Sequence, residues 1–148
     1  MSRIRKLLFA TDFSPHSRKA LGCASELSAR LGVPLVIYNA VQLPVYAIPD
    51  GVVLRGPEFM ADLVERARQG LEDELRIATD LGAHEVQTQW SEGPAATEIA
   101  RIAREQSIDL IVVGSHGRGL IARAILGSTA DKVIRSAHCP VMVVTHDH

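Results

Sequence analysis

The sequence contains little cysteine. Cys23 and Cys139 are its only two cysteines, and neither belongs to a CxxC pair or stands beside a matched pair of histidines. This pattern argues against a redox-active dithiol motif and against a structural zinc site, both of which need closely spaced ligands. We therefore expect both cysteines to be small residues of the core or of an interface.

Excess charge of either sign and long hydrophobic runs are also missing. Sixteen Lys and Arg residues face 17 Asp and Glu residues, for a formal net charge of −1. No global field would therefore attract nucleic acid or an anionic membrane. Near the basic N-terminus only Leu7–Ala10 is apolar, which is too short for a signal sequence or a membrane span. We expect a cytoplasmic protein without a nucleic-acid or membrane partner.

Familiar motifs of nucleotide enzymes and hydrolases are absent as well. No GxxxxGK[ST] segment occurs, so no P-loop lysine is available for the β- and γ-phosphates. Residues 117–122 match the GxGxx(G/A) spacing, but they follow the fourth predicted strand and lack an acidic residue about 20 positions downstream, so we interpret the match as chance. No Gly-x-Ser-x-Gly elbow surrounds a serine, which argues against a nucleophile–His–acid set.

Short apolar runs alternate with segments of helical period, and this alternation predicts the fold class. The runs at 6–10, 33–40, 85–90, 108–113 and 139–145 predict five strands joined by four helices. This order is typical of an α/β protein with one open parallel sheet and helices on both faces. The polar run at 85–90 predicts an edge strand. The prolines and glycines of residues 42–57 predict a long loop with neither strand nor helix.

Two glycine clusters follow the fourth predicted strand. The first contains Gly114, His116, Gly117 and Arg118, and the second is Gly127, Ser128 and Thr129. Without a Cβ, the backbone of the first cluster can adopt positive φ and bring N–H groups to phosphate oxygens, while its His and Arg can supply a charge or a donor. The second cluster precedes the fourth helix and can add the amides of its N-terminus. The two clusters predict a phosphate-bearing ligand.

Further polar groups should lie at the same edge of the sheet, because parallel strands place their carboxyl ends together. Thr11 and Asp12 follow the first strand. If the first and fourth strands are neighbours where the winding direction reverses, their loops leave a crevice, the usual ligand site of open α/β sheets. Asp12 would face the first cluster across it and suits a ribose hydroxyl or an exocyclic amine. Together these groups predict a nucleotide.

Each of these residues also has a purely structural interpretation. Gly114 and Gly117 can shape a tight turn, Ser128 can cap the fourth helix, and Asp12 can cap the first turn of the first helix. Taken singly, the structural and the functional interpretations are about equally favoured. Their joint placement at one sheet edge favours the ligand.

The spacing Gly114-x2-Gly117-x9-Gly127-Ser128 resembles the G-2x-G-9x-G(S/T) signature of the universal stress protein family. Residues 10–14 and 138–144 resemble the opening and closing segments of that family, so the resemblance covers essentially the whole chain. It implies one universal stress protein domain over residues 1–148, with a five-stranded parallel sheet of order 3-2-1-4-5, as in the adenine nucleotide alpha hydrolase-like folds. In the branch that bears the signature, it also implies a bound ATP.

The resemblance also implies roles for particular residues. Asp12 would contact adenine or ribose, and Ala40 would line the adenine slot, where the family commonly has valine. The glycine clusters would hold ribose and phosphates, and a Mg²⁺ or Mn²⁺ ion is implied with the triphosphate, although no carboxylate cage is visible. The implied binding residues are Ala10, Thr11, Asp12, Ala40, Gly114, His116, Gly117, Arg118, Gly127, Ser128 and Thr129. A homodimer through the last strand is implied at Val141, Met142, Val143 and Val144.

These observations favour an ATP-binding regulatory or stress-response module with slow hydrolysis at most, because the loops carry neither a P-loop lysine nor an evident general base. Two alternatives stay open. One is a nucleotide-free dimeric interaction protein whose glycine loops are structural. The other is a phosphotransferase or hydrolase in which Asp12 or His116 acts as the base.

Overall fold

The structure is a computed structural model that describes residues 3–42, 45–48, 51–54, 57–115 and 126–145. Within these residues strands and helices alternate along most of the chain. In chain order they are β1 (Leu7–Ala10), α1 (Pro15–Leu31), β2 (Pro34–Val41), β3 (Val45–Ile48), β4 (Gly51–Leu54), α2 (Pro57–Asp80), β5 (His84–Glu92), α3 (Ala95–Glu105), β6 (Leu110–Gly114), α4 (Ser128–Ser136) and β7 (Val141–Val144).

Five of these strands form one parallel sheet in the order β5-β2-β1-β6-β7. Counted within this sheet alone, the order is 3-2-1-4-5, which confirms the predicted fold. From β1 the chain winds outward through β2 to β5, then crosses back to β6 and β7 on the other side. Strand β1 therefore lies between β2 and β6, where the winding direction reverses. The polar strand β5 is at one edge, as its sequence predicts.

The sheet is covered on both faces because alternate residues of its inner strands point in opposite directions. Leu7 and Phe9 of β1 pack with the apolar residues of α1 and α2 in one core. Leu8, between them, packs with those of α3 and α4 in a second core. All three β1 side chains have no exposed surface. Burial on both faces explains why the inner strands read as continuous apolar runs.

Helix α1 has favourable capping residues at both ends. The Ser14 side chain accepts a hydrogen bond from the Ser17 amide, and Pro15 is the first helical residue. Gly32 ends the helix with φ 64°, and its N–H donates to the Ser28 carbonyl. These ends fix how the chain leaves β1 and returns to β2.

The prediction of an irregular loop over residues 42–57 is wrong. Strands β3 and β4 pair antiparallel there, with Val45 opposite Leu54 and Ile48 opposite Gly51, as a separate two-stranded sheet. The physical reason is that the prolines flank the strands without interrupting them, so that all of their amides stay available for pairing. Proline at position 57 begins α2, where its missing N–H removes no helical hydrogen bond.

Among the described residues, no helix combines the length and the hydropathy of a membrane-crossing segment. The cytoplasmic location stays a prediction.

Candidate functional site

A cavity of about 730 Å³ opens at the carboxyl ends of β1, β2 and β6. This is the reversal point of the sheet, where open α/β folds leave a crevice. The volume falls in the range of ordinary small-molecule sites. Its walls are the β1–α1 turn, the end of β2, one face of α2, the start of α3, and the segment from Leu126 into α4.

Thr11 organises the β1–α1 turn through five hydrogen bonds. Its hydroxyl donates to Glu74 Oε1 at 2.8 Å and accepts from the Phe13 amide at 3.0 Å and from the Ser17 hydroxyl at 3.1 Å. Its backbone carbonyl accepts from Asn39 Nδ2, and its amide donates to the Tyr38 carbonyl, each at 2.8 Å. Every polar group of Thr11 is therefore committed to shaping the cavity wall.

Asp12 and Phe13 complete this turn. Asp12 Oδ1 accepts a hydrogen bond from the Ser14 amide at 2.9 Å, whereas Ser14 is the residue that caps the first turn of α1, so the alternative in which Asp12 is the cap is wrong. An ionised carboxylate has about four acceptor positions, so this single bond leaves Asp12 able to accept from a ligand in the cavity that it lines. Phe13 has φ 64°, an unusual value for a bulky residue, and its ring contacts α2 at Gly70. The turn is thus held tightly against α2.

Glu74 lies behind the turn, on α2, and is only 1% exposed. Burial raises its pKa to about 7; the Thr11 hydrogen bond and the charge of Arg18 act in the opposite direction, and the charges of Asp12 and Asp73 add to the rise. Among the described residues no group hydrogen-bonds its second oxygen, Oε2. A carboxyl group with one free oxygen in a dry site favours the protonated form.

The opposite wall joins the end of β6 to the start of α4. Gly114 is the last residue of β6, opposite Val144 of β7, so its backbone is extended and does not use the positive φ that its sequence context suggested. The Ser115 amide donates to the Val144 carbonyl, and the Ser115 carbonyl accepts from the Gly127 amide at 2.5 Å. This bond brings the beginning of one glycine cluster next to the beginning of the other.

The amides available at this wall belong to the first turn of α4. Gly127 is the N-cap, with φ −68°, and within the described part of the chain no side chain caps this helix. Because the Gly127 amide is already bonded to Ser115, the amides of Ser128, Thr129 and Ala130 are the ones that remain to meet an anion. Ser128 is the first helical residue, so the alternative in which its side chain caps α4 is wrong.

A second hydroxyl–carboxylate pair supports the β2 wall. Tyr38 lines the cavity, and its hydroxyl is hydrogen-bonded to Ser91, which donates to Glu98 Oε1 at 3.1 Å. Arg101 donates to both oxygens of Glu98, at 2.8 and 2.9 Å. These Arg101 bonds hold the pKa of Glu98 below its usual value, whereas burial raises the pKa of Tyr38. The Glu98 carboxylate is therefore ionised, and both of its oxygens accept hydrogen bonds.

Eight of the eleven predicted binding residues line this one cavity: Ala10, Thr11, Asp12, Ala40, Gly114, Gly127, Ser128 and Thr129. His116, Gly117 and Arg118 lie outside the described residues. In the described ranges no group of three or more His, Cys, Asp or Glu could hold a metal ion. Within these ranges the side chains do not by themselves make a site for a divalent ion.

Several lining residues escaped the sequence analysis. Tyr38 and Asn39 come from the end of β2, and Leu63 and Arg66 from α2. Glu74 supports the site without lining it. A sequence signal for it exists, because the buried α2 positions Ala67, Leu71, Glu74 and Ala78 repeat at intervals of four, three and four residues. A charged residue in such an apolar stripe marks a position with a special role.

Sequence comparisons cover nearly the whole chain. Residues 3–145 match the sequence profile of the Universal stress protein family. Universal stress protein A homolog 2 of Coxiella burnetii is 34% identical, covering 97% of this chain and 97% of its own length. Universal stress protein MJ0531 of Methanocaldococcus jannaschii is 30% identical, covering 95% of this chain and 81% of its own length.

Solved structures have the same fold. Hypothetical protein MJ0577 superposes with a TM-score of 0.83 at 23% identity, covering 99% of both chains. UspA from Lactobacillus plantarum reaches 0.80 at 24% identity, covering 97% of this chain and 99% of its own. A universal stress protein in complex with cAMP reaches 0.74 at 24% identity, covering 99% and 100%. Profile, relatives and fold agree, and the chain belongs to the universal stress protein family.

Proposed function

We propose that this protein is an ATP-binding regulatory module of the signature-bearing branch of its family, with slow hydrolysis at most, and that residues 1–148 act as one domain. The observation that carries the proposal is the cavity at the reversal point of the sheet, with Asp12 on one wall and the N-terminus of α4 on the other. A carboxylate suits hydroxyl and amino donors, and a helix N-terminus suits phosphate.

The division of the cavity into apolar and polar parts supports an adenine nucleotide. Ala40, Val41 and Ile99 give it an apolar region that suits a purine ring, while the first-turn amides of α4 suit the phosphates. Related structures add to this argument. They include a universal stress protein in complex with cAMP, an Arabidopsis thaliana family member with AMP bound, and an Archaeoglobus fulgidus protein in complex with dAMP.

Calorimetry with ATP at up to millimolar concentration tests the proposal directly. We expect a one-site isotherm and an increase in Tm that grows with ATP concentration. Folded protein that gives neither heat nor a thermal shift would refute ATP binding. Turnover above about 1 s⁻¹, the low end for ordinary enzymes, would favour the phosphotransferase or hydrolase alternative instead.

A glycine substitution localises the site. Gly127 lines the cavity with φ −68° and ψ 158°, values that a β-branched residue adopts without backbone strain, so Gly127→Val adds a side chain at this wall of the cavity. We expect it to weaken ATP binding at least tenfold, about 1.4 kcal/mol, with an unchanged circular dichroism spectrum. The control is Gly22→Ala on α1, where an added Cβ meets nothing within 4 Å. Equal ATP affinities of the two variants would mean that the second glycine cluster does not contact the nucleotide.

The nucleotide-free interaction protein is favoured by one specific observation: Asp12 Oδ1 and the Gly127 amide are already bonded within the fold. The two functions differ in whether the purified protein carries a nucleotide. For the ATP-binding module, we expect denaturation to release a compound with adenine absorbance, identified by chromatography. Protein that releases none, and that binds no added ATP, would support the interaction protein.

We further propose a homodimer through β7, as the family resemblance implies. Met142 is 37% exposed on this edge strand, and its three valine neighbours are half-buried. A symmetric copy would cover these apolar side chains and the unpaired strand edge. Analytical ultracentrifugation at micromolar concentration measures the expected dimer mass, and a monomer there would refute it.

A further inference from the structure

We propose that Glu74 is a positioning residue of the nucleotide site, which holds the β1–α1 turn through Thr11 and takes up a proton when the nucleotide binds. This inference rests on the proposed function and adds to it a group outside the cavity. The juxtaposition that carries it is a carboxyl group, 1% exposed, hydrogen-bonded at 2.8 Å to a hydroxyl of the cavity wall.

The connection from Glu74 to the cavity is one side chain long. Thr11 uses its single hydroxyl proton on Glu74, and its hydroxyl oxygen accepts from the Phe13 amide and the Ser17 hydroxyl. Thr11, Phe13 and Ser17 all line the cavity. The orientation of the Thr11 hydroxyl is therefore set by the carboxyl group behind it. A change at Glu74 reaches the wall without any intervening flexible segment.

The second oxygen of Glu74 makes a change in protonation possible. Oε2 is buried and accepts no hydrogen bond from any described residue, so a proton can reside there while Oε1 keeps its bond to Thr11. An ionised carboxylate with an orphaned oxygen in a dry site carries a desolvation penalty that the protonated form avoids. Burial accordingly raises the pKa of Glu74 to about 7, where both forms are populated.

The groups around Glu74 determine the direction of the coupling. Arg18 on α1 favours the ionised form, and Asp12 in the turn and Asp73 on α2 oppose it. The sheet strands β2 and β5, which also pack against α2, face the same core with apolar side chains: Leu35, Ile37 and Val86. No cation in this set bonds directly to the carboxylate, in contrast to Glu98.

A bound nucleotide would shift this balance in one direction. Its phosphates add negative charge, and its bulk displaces water from the wall that Thr11 and Asp12 form. Added negative charge and lost solvation both favour a neutral carboxyl group. Glu74 therefore takes up a proton as the nucleotide binds, and by linkage the affinity falls as the pH rises through the pKa of the free protein.

Calorimetry in buffers of different ionisation enthalpy measures this proton directly. The titrant is ATP with Mg²⁺ in excess, which keeps the phosphates ionised so that their own protons do not contribute. We expect uptake of about half a proton near pH 7.5 and little at pH 5.5. We also expect affinity about tenfold weaker at pH 8.5 than at pH 6, for a pKa that rises by one unit on binding.

Two substitutions separate the charge of Glu74 from its hydrogen bond. Glu74→Gln keeps an acceptor for Thr11 but cannot titrate, so we expect proton uptake to disappear and the affinity to stay constant with pH. Glu74→Met removes the acceptor too, and we expect about tenfold weaker binding at every pH because the Thr11 hydroxyl loses its partner. The control is Glu72→Gln, an exposed carboxylate on the same helix, which should keep the wild-type proton uptake.

The outcomes distinguish this inference from the proposed function. Binding of ATP with equal proton uptake in wild type and Glu74→Gln would overturn the inference and leave the function intact. The same holds if Glu74→Met binds as tightly as Glu74→Gln. Folded wild-type protein that binds no ATP at any pH would overturn both. If Glu74→Met fails to fold, the comparison of wild type with Glu74→Gln and Glu72→Gln still decides.

Discussion

Two glutamates on opposite faces of the sheet support the same cavity in different charge states. Glu74 accepts a hydrogen bond from Thr11, and Glu98 accepts one from Ser91, which is bonded to Tyr38; Thr11 and Tyr38 both line the cavity. Glu98 also accepts two hydrogen bonds from Arg101, whereas Arg18 acts on Glu74 through its charge.

The hydroxyl partner does not decide the charge of these two glutamates. Each glutamate has such a partner, yet the pKa of Glu74 is raised to about 7 and that of Glu98 is lowered. Direct contact with a cation and access to water make the difference. Glu98, on the α3 side of the cavity, thus keeps its negative charge, whereas Glu74, on the α2 side, can gain or lose a proton.

The largest effect should come from removing the charge of Glu74. A group with a folded pKa of about 7 against 4.5 unfolded holds its proton better in the folded state, so stability falls as the pH rises between these values. Relative to Glu74→Gln, wild type should lose at most about 3 kcal/mol between pH 4.5 and pH 8. Urea unfolding over this pH range measures the difference. Parallel stability curves would mean that Glu74 does not titrate in the folded protein.

The next effect tests how tightly the turn is held against α2. A Cβ at Gly70 would lie 2.6 Å from the Phe13 ring, so Gly70→Ala must displace it. Overpacking costs about 1–3 kcal/mol, and better helix propensity returns up to about 1 kcal/mol. We expect a net loss of about 1–2 kcal/mol, together with weaker ATP binding because Phe13 lines the cavity.

Gly22→Ala supplies the matched helical control, since its added methyl group meets nothing within 4 Å. It should gain stability in the same urea experiment. If Gly70→Ala gained as much stability, the Phe13 contact would not hold the turn against α2. The difference between the two faces of the sheet would then depend on Glu74 alone.

A smaller effect, with the opposite dependence on pH, is expected at Glu98. Its pKa is lowered by Arg101, so its stabilising contribution is present above the ordinary value of 4.5 and is lost as the pH falls through the folded value. Glu98→Gln should cost about 1 kcal/mol at pH 7. Thermal unfolding at pH 7 and at pH 3.5 should show the cost shrinking in acid. A cost that grew in acid would reverse the assignment of charge states.

The smallest effect concerns an arginine with the same local geometry as Arg101. Arg68 on α2 bonds carboxylates three residues before and four residues after it, as Arg101 does on α3. Glu65 is 51% exposed, against 12% for Glu98, so water screens the α2 pair. Arg68→Ala should leave the stability measured by urea unfolding almost unchanged, because exposed ion pairs contribute little. A larger loss than for Arg101→Ala would contradict the role assigned to burial.

Much of the fold could be predicted because it depends on patterns that single segments carry. The inner strands are apolar on both faces and Gly32 marks a helix end, whereas the strand order that places β1 between β2 and β6 is what the family resemblance implies. The cavity followed in turn, since parallel strands end together. Eight predicted residues line it, and their binding roles stay predictions.

The rest depends on contacts between segments or on competing local signals. The hairpin of β3 and β4 does not follow from the sequence, because the prolines near Val45–Ile48 are typical of an irregular loop, although none lies inside the strands. The sequence marks Glu74 as a charged residue in the apolar stripe of α2, but its partner Thr11 cannot be predicted, because only the fold brings together residues 63 positions apart. The hydrogen bond from the Gly127 amide to the Ser115 carbonyl likewise cannot be predicted from the sequence, because it joins two separate segments.

The hydrogen bond between the Gly127 amide and the Ser115 carbonyl has a consequence for hydrogen exchange. The Ser115 amide is itself bonded to the Val144 carbonyl, so two backbone bonds join the end of β6 to the end of β7 and to the start of α4. Amides that are protected by one cooperative unit exchange with solvent when that unit opens. The Ser115 and Gly127 amides should therefore exchange together, and more slowly than the first-turn amides of α4.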